Sequence, residues 1–179
     1  MIVLIILILL ILWVWYDGRG GVVYIKNFLP LDEFEMVRDA CRGVESQMSK
    51  DELGIVRNRY KYVFGGGDYV SRVFSSDFVR TRLPGSPSGI PVEYRTYGKG
   101  GMMDWHRDVK LYKDPQYEMV YTVENTSDSM TQWVDPRTNR VHSISTEPNS
   151  VLMVRAEGVL HRVSPLNHGV RKIVKFAFM

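Results

Sequence analysis

Three features are scarce in this 179-residue chain, and each scarcity excludes a class of protein. A single cysteine, Cys41, excludes an internal disulfide framework, and its place in a helical pattern predicts a small buried side chain. The net charge is only +3, and the basic residues form no stripe with interleaved aromatics, so nucleic acid is not an expected partner. Internal repeats are absent, and the length fits one folded domain.

The chain also has no hydrophobic run of full membrane-spanning length. Residues 1–16 are wholly apolar and end in Trp13, Trp15 and Tyr16, whereas a bilayer span takes about 20 residues. Such a run can still cross a thin membrane at small cost, with its aromatic rings at the interface. A cleaved signal peptide, the alternative, has a basic start and a small-residue cleavage site, and neither is clear here. We therefore expect a single-pass membrane protein with an uncleaved N-terminal anchor, and the side of the membrane stays open.

This interpretation divides the chain into the anchor at 1–16, a linker at 17–21 and a folded domain at 22–179. In the domain, a short strand is followed by helical spacing of apolar residues from Leu31 to about Met48, with Pro30 just before it. Residues 70–82 fit a second helix or an irregular segment. From residue 90 onward, short strand patterns alternate with Pro, Gly and Asn turns, which is typical of a double-sheet jelly roll. The predicted fold class is mainly β, with flanking N-terminal helices.

Two stretches far apart in sequence, 97–108 and 161–171, carry the residues suited to chemistry. Side chains i and i+2 of a strand point to the same side, so His106 and Asp108 can reach one metal ion together. His161 can supply a third ligand from a distant strand. Two imidazoles and one carboxylate form the facial triad typical of non-haem Fe(II) oxygenases, which leaves positions open for a chelating cosubstrate and O2.

An arginine follows the distal histidine at a fixed distance. Arg171 lies ten positions after His161, with Pro165 and Gly169 between them, which indicates a strand, a turn and a return strand beside the metal. A guanidinium binds a carboxylate through two parallel hydrogen bonds, so Arg171 could hold the far carboxylate of a keto-acid that chelates the iron. The nearby cations that compete for this assignment are Lys172 and Lys175.

With these residues in place, the sequence resembles the 2-oxoglutarate- and Fe(II)-dependent oxygenases, and most closely their prolyl 4-hydroxylase branch. That branch carries Tyr-Gly-x-Gly-Gly, four residues and His-x-Asp, which residues 97–108 match without a gap. It also carries a distal His with Lys or Arg ten residues on. The resemblance implies a double-stranded β-helix with the site in its mouth. It further implies three iron-binding catalytic residues, one 2-oxoglutarate anchor and one pocket tyrosine: His106, Asp108 and His161; Arg171; and Tyr97.

Other residues are less firmly placed by the pattern. The strand predicted at 117–124 could line the pocket, but only one of Tyr121 and Thr122 can face inward and the pattern does not decide between them. Tyr121 is included among the predicted cofactor-binding residues. The remaining histidines, His142 and His168, are interpreted as loop or surface residues.

The match departs from the branch on the substrate side. Gln-Tyr after Gly-Gly is replaced by Met102 and Met103, and the Pro that often precedes the first iron ligand is replaced by Trp105. The Gly-Gly-Glu-Thr segment after the central strand is replaced by residues 127–131. The iron and cosubstrate chemistry therefore transfers to this chain, and the proline specificity does not.

The sequence thus predicts a membrane-anchored dioxygenase that uses Fe(II), 2-oxoglutarate and O2, with ascorbate as a possible further cofactor. The leading substrate is a peptidyl residue, most simply proline. The first alternative is the same chemistry on a lipid or small molecule near the membrane. The second is a non-enzymatic, membrane-tethered binding module that kept the fold. A zinc hydrolase on a jelly roll fits less well, because such zinc sites do not require the spaced arginine.

Overall fold

Ten strands form one curled antiparallel sheet in the computed structural model, which describes residues 21–51, 53–113 and 115–179. The strands are β1 (Val22–Lys26), β2 (Ser49–Lys50), β3 (Val56–Val63), β4 (Glu93–His106), β5 (Tyr117–Asn125), β6 (Thr131–Val134), β7 (Val141–Ile144), β8 (Ser150–Arg155), β9 (His161–Val163) and β10 (Arg171–Phe178). The order across the sheet is β1-β8-β5-β10-β4-β9-β6-β7, with β3 also on β4 and β2 on β3. The prediction of a mainly β domain is confirmed.

Strand β4 is the element that curls this sheet. Its first half pairs with β10, where Tyr97 lies opposite Arg171. Its second half pairs with β9, where His106 lies opposite His161. One strand of 14 residues therefore carries the first functional stretch as far as His106 and pairs with β9 and β10, where the second stretch begins and ends.

Glycines in the middle of β4 permit the bend. Gly100 has a φ of +76°, and a Cβ on Gly101 would lie 2.6 Å from the carbonyl oxygen of Gly98. Only glycine fits such a left-handed position and such a close approach without cost. The same segment binds the turn before β10, because Gly100 donates its N–H to the Leu166 carbonyl at 2.7 Å and Leu166 donates to Gly101 at 2.9 Å. The glycines thus bring the two functional stretches together.

The helices lie before β4 in the chain. They are α1 (Leu31–Gly43), a 3₁₀ helix (Glu45–Gln47), α2 (Tyr69–Phe74) and α3 (Asp77–Arg80). The helix predicted from Leu31 to about Met48 ends at Gly43 and is followed by the 3₁₀ turn. Cys41 is fully buried on α1, as predicted, and burial raises the pKa of its thiol.

Aromatic rings fill the core between the helices and the sheet. The ring of Tyr121 lies 6.2, 6.5 and 5.0 Å from those of Phe28, Phe34 and Phe74, and Phe74 stacks on Phe176 at 4.5 Å. Such pairs stabilise a core beyond the area that they bury.

No helix among the described residues is both long and apolar enough to cross a membrane. The predicted anchor at 1–16 lies outside the described residues.

Candidate metal and cosubstrate site

Two histidines and one aspartate converge at the curl of the sheet. Nε2 of His161 lies 3.3 Å from Oδ2 of Asp108, and Nε2 of His106 lies 3.8 Å from Oδ1 of the same carboxylate. One donor atom from each residue lies within 4.8 Å of the other two, and this is the one such group among the described residues. Metal–ligand bonds of about 2.0–2.2 Å place neighbouring donors about 3 Å apart, so small side-chain adjustments suffice to hold an ion.

Backbone carbonyls fix the orientation of both imidazoles. Nδ1 of His106 lies 2.8 Å from the carbonyl oxygen of Asp104, and Nδ1 of His161 lies 3.1 Å from that of Val159. A carbonyl only accepts, so each Nδ1 carries the proton and each Nε2 presents its lone pair toward Asp108.

The electrostatic surroundings favour the neutral imidazole. Burial lowers the pKa of His106 below its ordinary value, and the neighbouring His161 lowers it further. A metal ion binds the neutral ring and not the protonated one. The site therefore holds His106 in the form that binds metal.

Asp108 reaches the site from a loop and not from a strand. Strand β4 ends at His106, so the i, i+2 argument made from the sequence does not describe the local backbone. Two hydrogen bonds to the turn at Glu157 and Gly158 hold this loop instead. Glu157 donates its N–H to the Asp108 carbonyl at 2.9 Å, and the Arg107 side chain donates to the Gly158 carbonyl.

Arg171 is a buried cation that has no anionic partner among the described residues. Its side chain is 1% exposed, and Nη2 donates to Oγ1 of Thr131 at 2.6 Å. Nε and Nη1 are buried and have no hydrogen-bond partner among the described residues. Burial lowers the pKa of Arg171, but a guanidinium stays charged. Unpaired buried charge is costly, so this position is suited to an anion from outside the chain.

Both competing lysines, unlike Arg171, are paired with carboxylates. Nζ of Lys172 lies 3.0 Å from Glu45 and 3.1 Å from Glu124. Lys175 lines the same cleft as Arg171, but its Nζ lies 2.8 Å from Glu118. The structure thus favours Arg171 as the residue that binds a carboxylate.

Tyr97 lies opposite Arg171 in the sheet, and a second buried arginine binds its hydroxyl. Nη1 of Arg59 donates to the Tyr97 hydroxyl at 3.0 Å. Nε and Nη2 of Arg59 donate to Oδ2 of Asp51 at 3.0 and 2.6 Å, and both members of this ion pair are buried. Sequence reasoning missed the pair, because a bulge at Asn58, with φ of +45°, breaks the alternation that would mark Arg59 as inward.

One cleft joins the metal ligands to Arg171 and Tyr97. It encloses about 520 Å³ of empty space, including the part open to solvent. Its apolar wall comes from alternate positions of four strands: Val120, Leu152, Val154, Val163 and Ile173. A chelating keto-acid can therefore contact the metal ligands and the guanidinium from within one space.

The prediction for Tyr121 needs correction. Val120 lines the cleft, so the side chain of Tyr121 points to the opposite face of β5 and packs in the aromatic core. Its hydroxyl donates to Oδ1 of Asn149 at 3.0 Å. Thr122 faces inward by alternation, but its hydroxyl bonds Thr146 at 2.8 Å, and it does not line the cleft.

Four rings occupy one row across four strands. His106 on β4 faces His161 on β9, His161 faces Trp133 on β6, and Trp133 faces His142 on β7. The rings of Trp133 and His142 are stacked at 5.4 Å. His142 thus lies on a strand and not in a loop, although its side chain is 39% exposed, and His168 is exposed, as expected.

The positions that depart from the prolyl hydroxylase pattern serve several roles. Met103 lines the cleft, and its sulfur accepts from Nη1 of Arg59 at 3.1 Å. The guanidinium of Arg162 lies 4.6 Å from the Trp105 ring. Thr131, expected on the substrate side, instead accepts a hydrogen bond from Arg171.

The curled sheet with this triad at its open end has the fold of the 2-oxoglutarate- and Fe(II)-dependent oxygenases. A Pseudomonas putida prolyl-4-hydroxylase superposes with a TM-score of 0.74 at 14% identity, over 92% of this chain and 95% of that one. A Trichoplax adhaerens prolyl hydroxylase, in complex with a peptide of hypoxia inducible factor, gives 0.73 at 17% identity, over 92% and 86%. Streptomyces hygroscopicus HygX, with nickel, 2-oxoglutarate and hygromycin B bound, gives 0.68 at 12% identity, over 92% and 85%. No family model and no curated protein sequence matches the chain. The predicted jelly-roll fold is confirmed.

Proposed function

We propose that this protein is a membrane-anchored, 2-oxoglutarate- and Fe(II)-dependent dioxygenase that hydroxylates a C–H bond. The observation that carries the proposal is the buried guanidinium of Arg171, which has no anionic partner in the part of the chain that the structure describes and shares a cleft with a His-Asp-His group. A dicarboxylate fits this arrangement, because one end can bind Arg171 while the other end lies at the metal.

Each part of the cleft has a defined task. His106, Asp108 and His161 hold Fe(II), which supplies the O2 chemistry of this class when bound. Arg171 and Thr131 orient the far carboxylate of 2-oxoglutarate, and the apolar wall keeps water from the reacting atoms. Ascorbate is a candidate reductant that keeps the iron ferrous.

Peptidyl proline is the leading substrate in this proposal. Two of the similar structures are prolyl hydroxylases, and one of them holds a peptide. HygX, which binds hygromycin B, supports the alternative of a non-peptide substrate for the same fold.

Membrane anchoring is the second part of the proposal. It is supported by the wholly apolar composition of residues 1–16 and by the aromatic residues that end this run. Retention of the full chain in vesicles after a carbonate wash would test it.

The test of the chemistry is succinate production by the full chain in detergent with Fe(II), ascorbate and 2-oxoglutarate under air. We expect slow succinate release that His106→Ala abolishes, and faster release when a proline-rich peptide is added. His168→Ala is the matched control, because this histidine is exposed and lies outside the triad. Absence of succinate, together with absence of 2-oxoglutarate binding by calorimetry, would contradict the oxygenase and favour the binding module.

A further inference from the structure

The loop that follows the metal ligand Asp108 exposes unusual apolar surface. Val109 is 71% exposed and Leu111 is 65% exposed, which places both among the most exposed large apolar side chains of the described residues. Lys110 lies between them, and the exposed Lys113 follows after Tyr112. We call residues 109–113 the rim loop. Apolar side chains interleaved with lysines are typical of segments that lie on anionic lipid.

The rim loop borders the metal end of the cleft. It begins one residue after Asp108, whose carbonyl accepts the Glu157 N–H at 2.9 Å. The Arg107 side chain donates to the Gly158 carbonyl, on the segment that leads into His161. The loop and the residues just before His161 therefore form one edge.

The described chain also begins at this edge. A Cβ on Gly21 would lie 3.7 Å from Cγ1 of Val159, and the Val159 carbonyl contacts Nδ1 of His161 at 3.1 Å. Five peptide units separate Gly21 from Tyr16, the last residue of the apolar run, and they reach at most roughly 18 Å. The apolar run is therefore joined to the folded domain at the edge that holds His161.

We propose that the rim loop lies on the surface of the anionic membrane that holds residues 1–16, so that the mouth of the cleft opens toward the lipid. Val109 and Leu111 enter the interface, and Lys110 and Lys113 contact anionic headgroups. The proposal rests on the anchoring part of the proposed function and deepens it. It implies that the substrate is delivered at the bilayer surface.

The test uses the full chain in vesicles of mixed neutral and anionic lipid, with an environment-sensitive thiol probe on Val109→Cys or Leu111→Cys. Because the one native cysteine, Cys41, is fully buried, the introduced thiol takes the label. The control is Leu31→Cys, since Leu31 is also 71% exposed and follows the opposite end of β1 from Gly21. We expect quencher-bearing lipid to reduce the fluorescence at 109 and 111 but not at 31, and aqueous iodide to do the reverse.

Three outcomes would overturn the docking surface. In the first, probes at 109 and 111 are as accessible to iodide as the probe at 31. In the second, vesicles of neutral lipid alone quench them as strongly as the mixed vesicles, which would show that anionic headgroups take no part. In the third, Lys110→Ala with Lys113→Ala leaves lipid quenching unchanged. A carbonate wash of the same samples reports membrane anchoring separately from docking of the rim loop. The fluorescence readout needs no enzymatic turnover, so failure of the docking surface is distinguishable from failure of the proposed function.

Discussion

At the scale of single residues, Arg171 is the side chain on which the cosubstrate assignment depends. Its guanidinium is buried with Nε and Nη1 unsatisfied, whereas the equally buried Arg59 is neutralised by Asp51. Two arginines in one core thus differ in whether the chain itself supplies the counter-charge. This difference predicts that removing the Arg171 charge leaves stability intact, whereas removing the counter-charge of Arg59 lowers it.

Arg171→Met is expected to abolish 2-oxoglutarate binding without lowering the stability of the ligand-free protein. Losing one partner of a buried ion pair costs about 2–5 kcal/mol, which raises the Kd by roughly 30-fold or more. Stability does not fall, because the substitution removes an unpaired buried charge. Calorimetry with 2-oxoglutarate and urea unfolding measure the two effects. Unchanged affinity would contradict the assignment, as would a large loss of stability.

Asp51→Asn is expected to destabilise the protein by about 3–5 kcal/mol at pH 7, because it leaves the Arg59 charge uncompensated. Burial acts to raise the pKa of Asp51, but the hydrogen bonds and charge of Arg59 outweigh it and hold the pKa below its ordinary value. A depressed pKa stabilises the folded state above the unfolded value of about 3.9, and this contribution is lost as the pH falls through the folded value.

Urea unfolding of wild type and Asp51→Asn between pH 7 and pH 2 checks this dependence. The difference in free energy of unfolding should shrink as the solution becomes acidic. The control is Asp77→Asn, because the Asp77 side chain is 97% exposed. A difference that stays constant over this range would show that the ion pair does not titrate as proposed.

At the scale of elements, the bend of β4 decides whether the two functional stretches meet. Sequence patterns located both stretches and most of the strands, because alternation and turn residues are local signals. They did not reveal that residues 93–106 are one strand, since the glycines in it break the alternation. They also placed Asp108 on a strand, whereas it lies in a loop after β4 whose Asp108 carbonyl accepts the Glu157 N–H. Side-chain direction on β5 was undecidable without the register, and so Tyr121 was assigned to the wrong face.

Gly101→Ala is expected to cost about 1–3 kcal/mol of stability, the usual range for overpacking, and to weaken metal binding. The new Cβ meets backbone oxygen atoms of Gly98 at 2.6 Å and of Asn58 at 3.1 Å, so β4 must shift. Gly98→Ala is the matched control, because no heavy atom lies within 4 Å of its Cβ position. Thermal unfolding and metal titration of both variants check this. Equal effects in the two would mean that the bend does not depend on the close approach.

At the scale of the whole molecule, the fold is shared with proteins that are only 12–17% identical in sequence. The resemblance seen in the sequence rests on residues 97–108 and 161–171. This explains why motif spacing predicted the architecture, while the buried Asp51–Arg59 pair and the row of rings required coordinates.

Bound metal and 2-oxoglutarate should raise the stability of the whole folded molecule. Mn(II) and 2-oxoglutarate together, each at 100 times its Kd, should stabilise the protein by about 2.7 kcal/mol or more, a rise in Tm of roughly 5–10 °C. His106→Ala should lose the metal-dependent rise and Arg171→Met the 2-oxoglutarate-dependent rise. Identical rises in wild type and both variants would contradict the site.

The row of rings also gives the protein an optical signal of its own. The indole of Trp133 lies one strand from the ligand His161, and a metal ion with unpaired electrons quenches the emission of a nearby indole. Titration with Ni(II) should therefore dim the tryptophan fluorescence, and Trp133→Phe should remove most of that response. The occupancy of the metal site can thus be followed without a label and without a substrate.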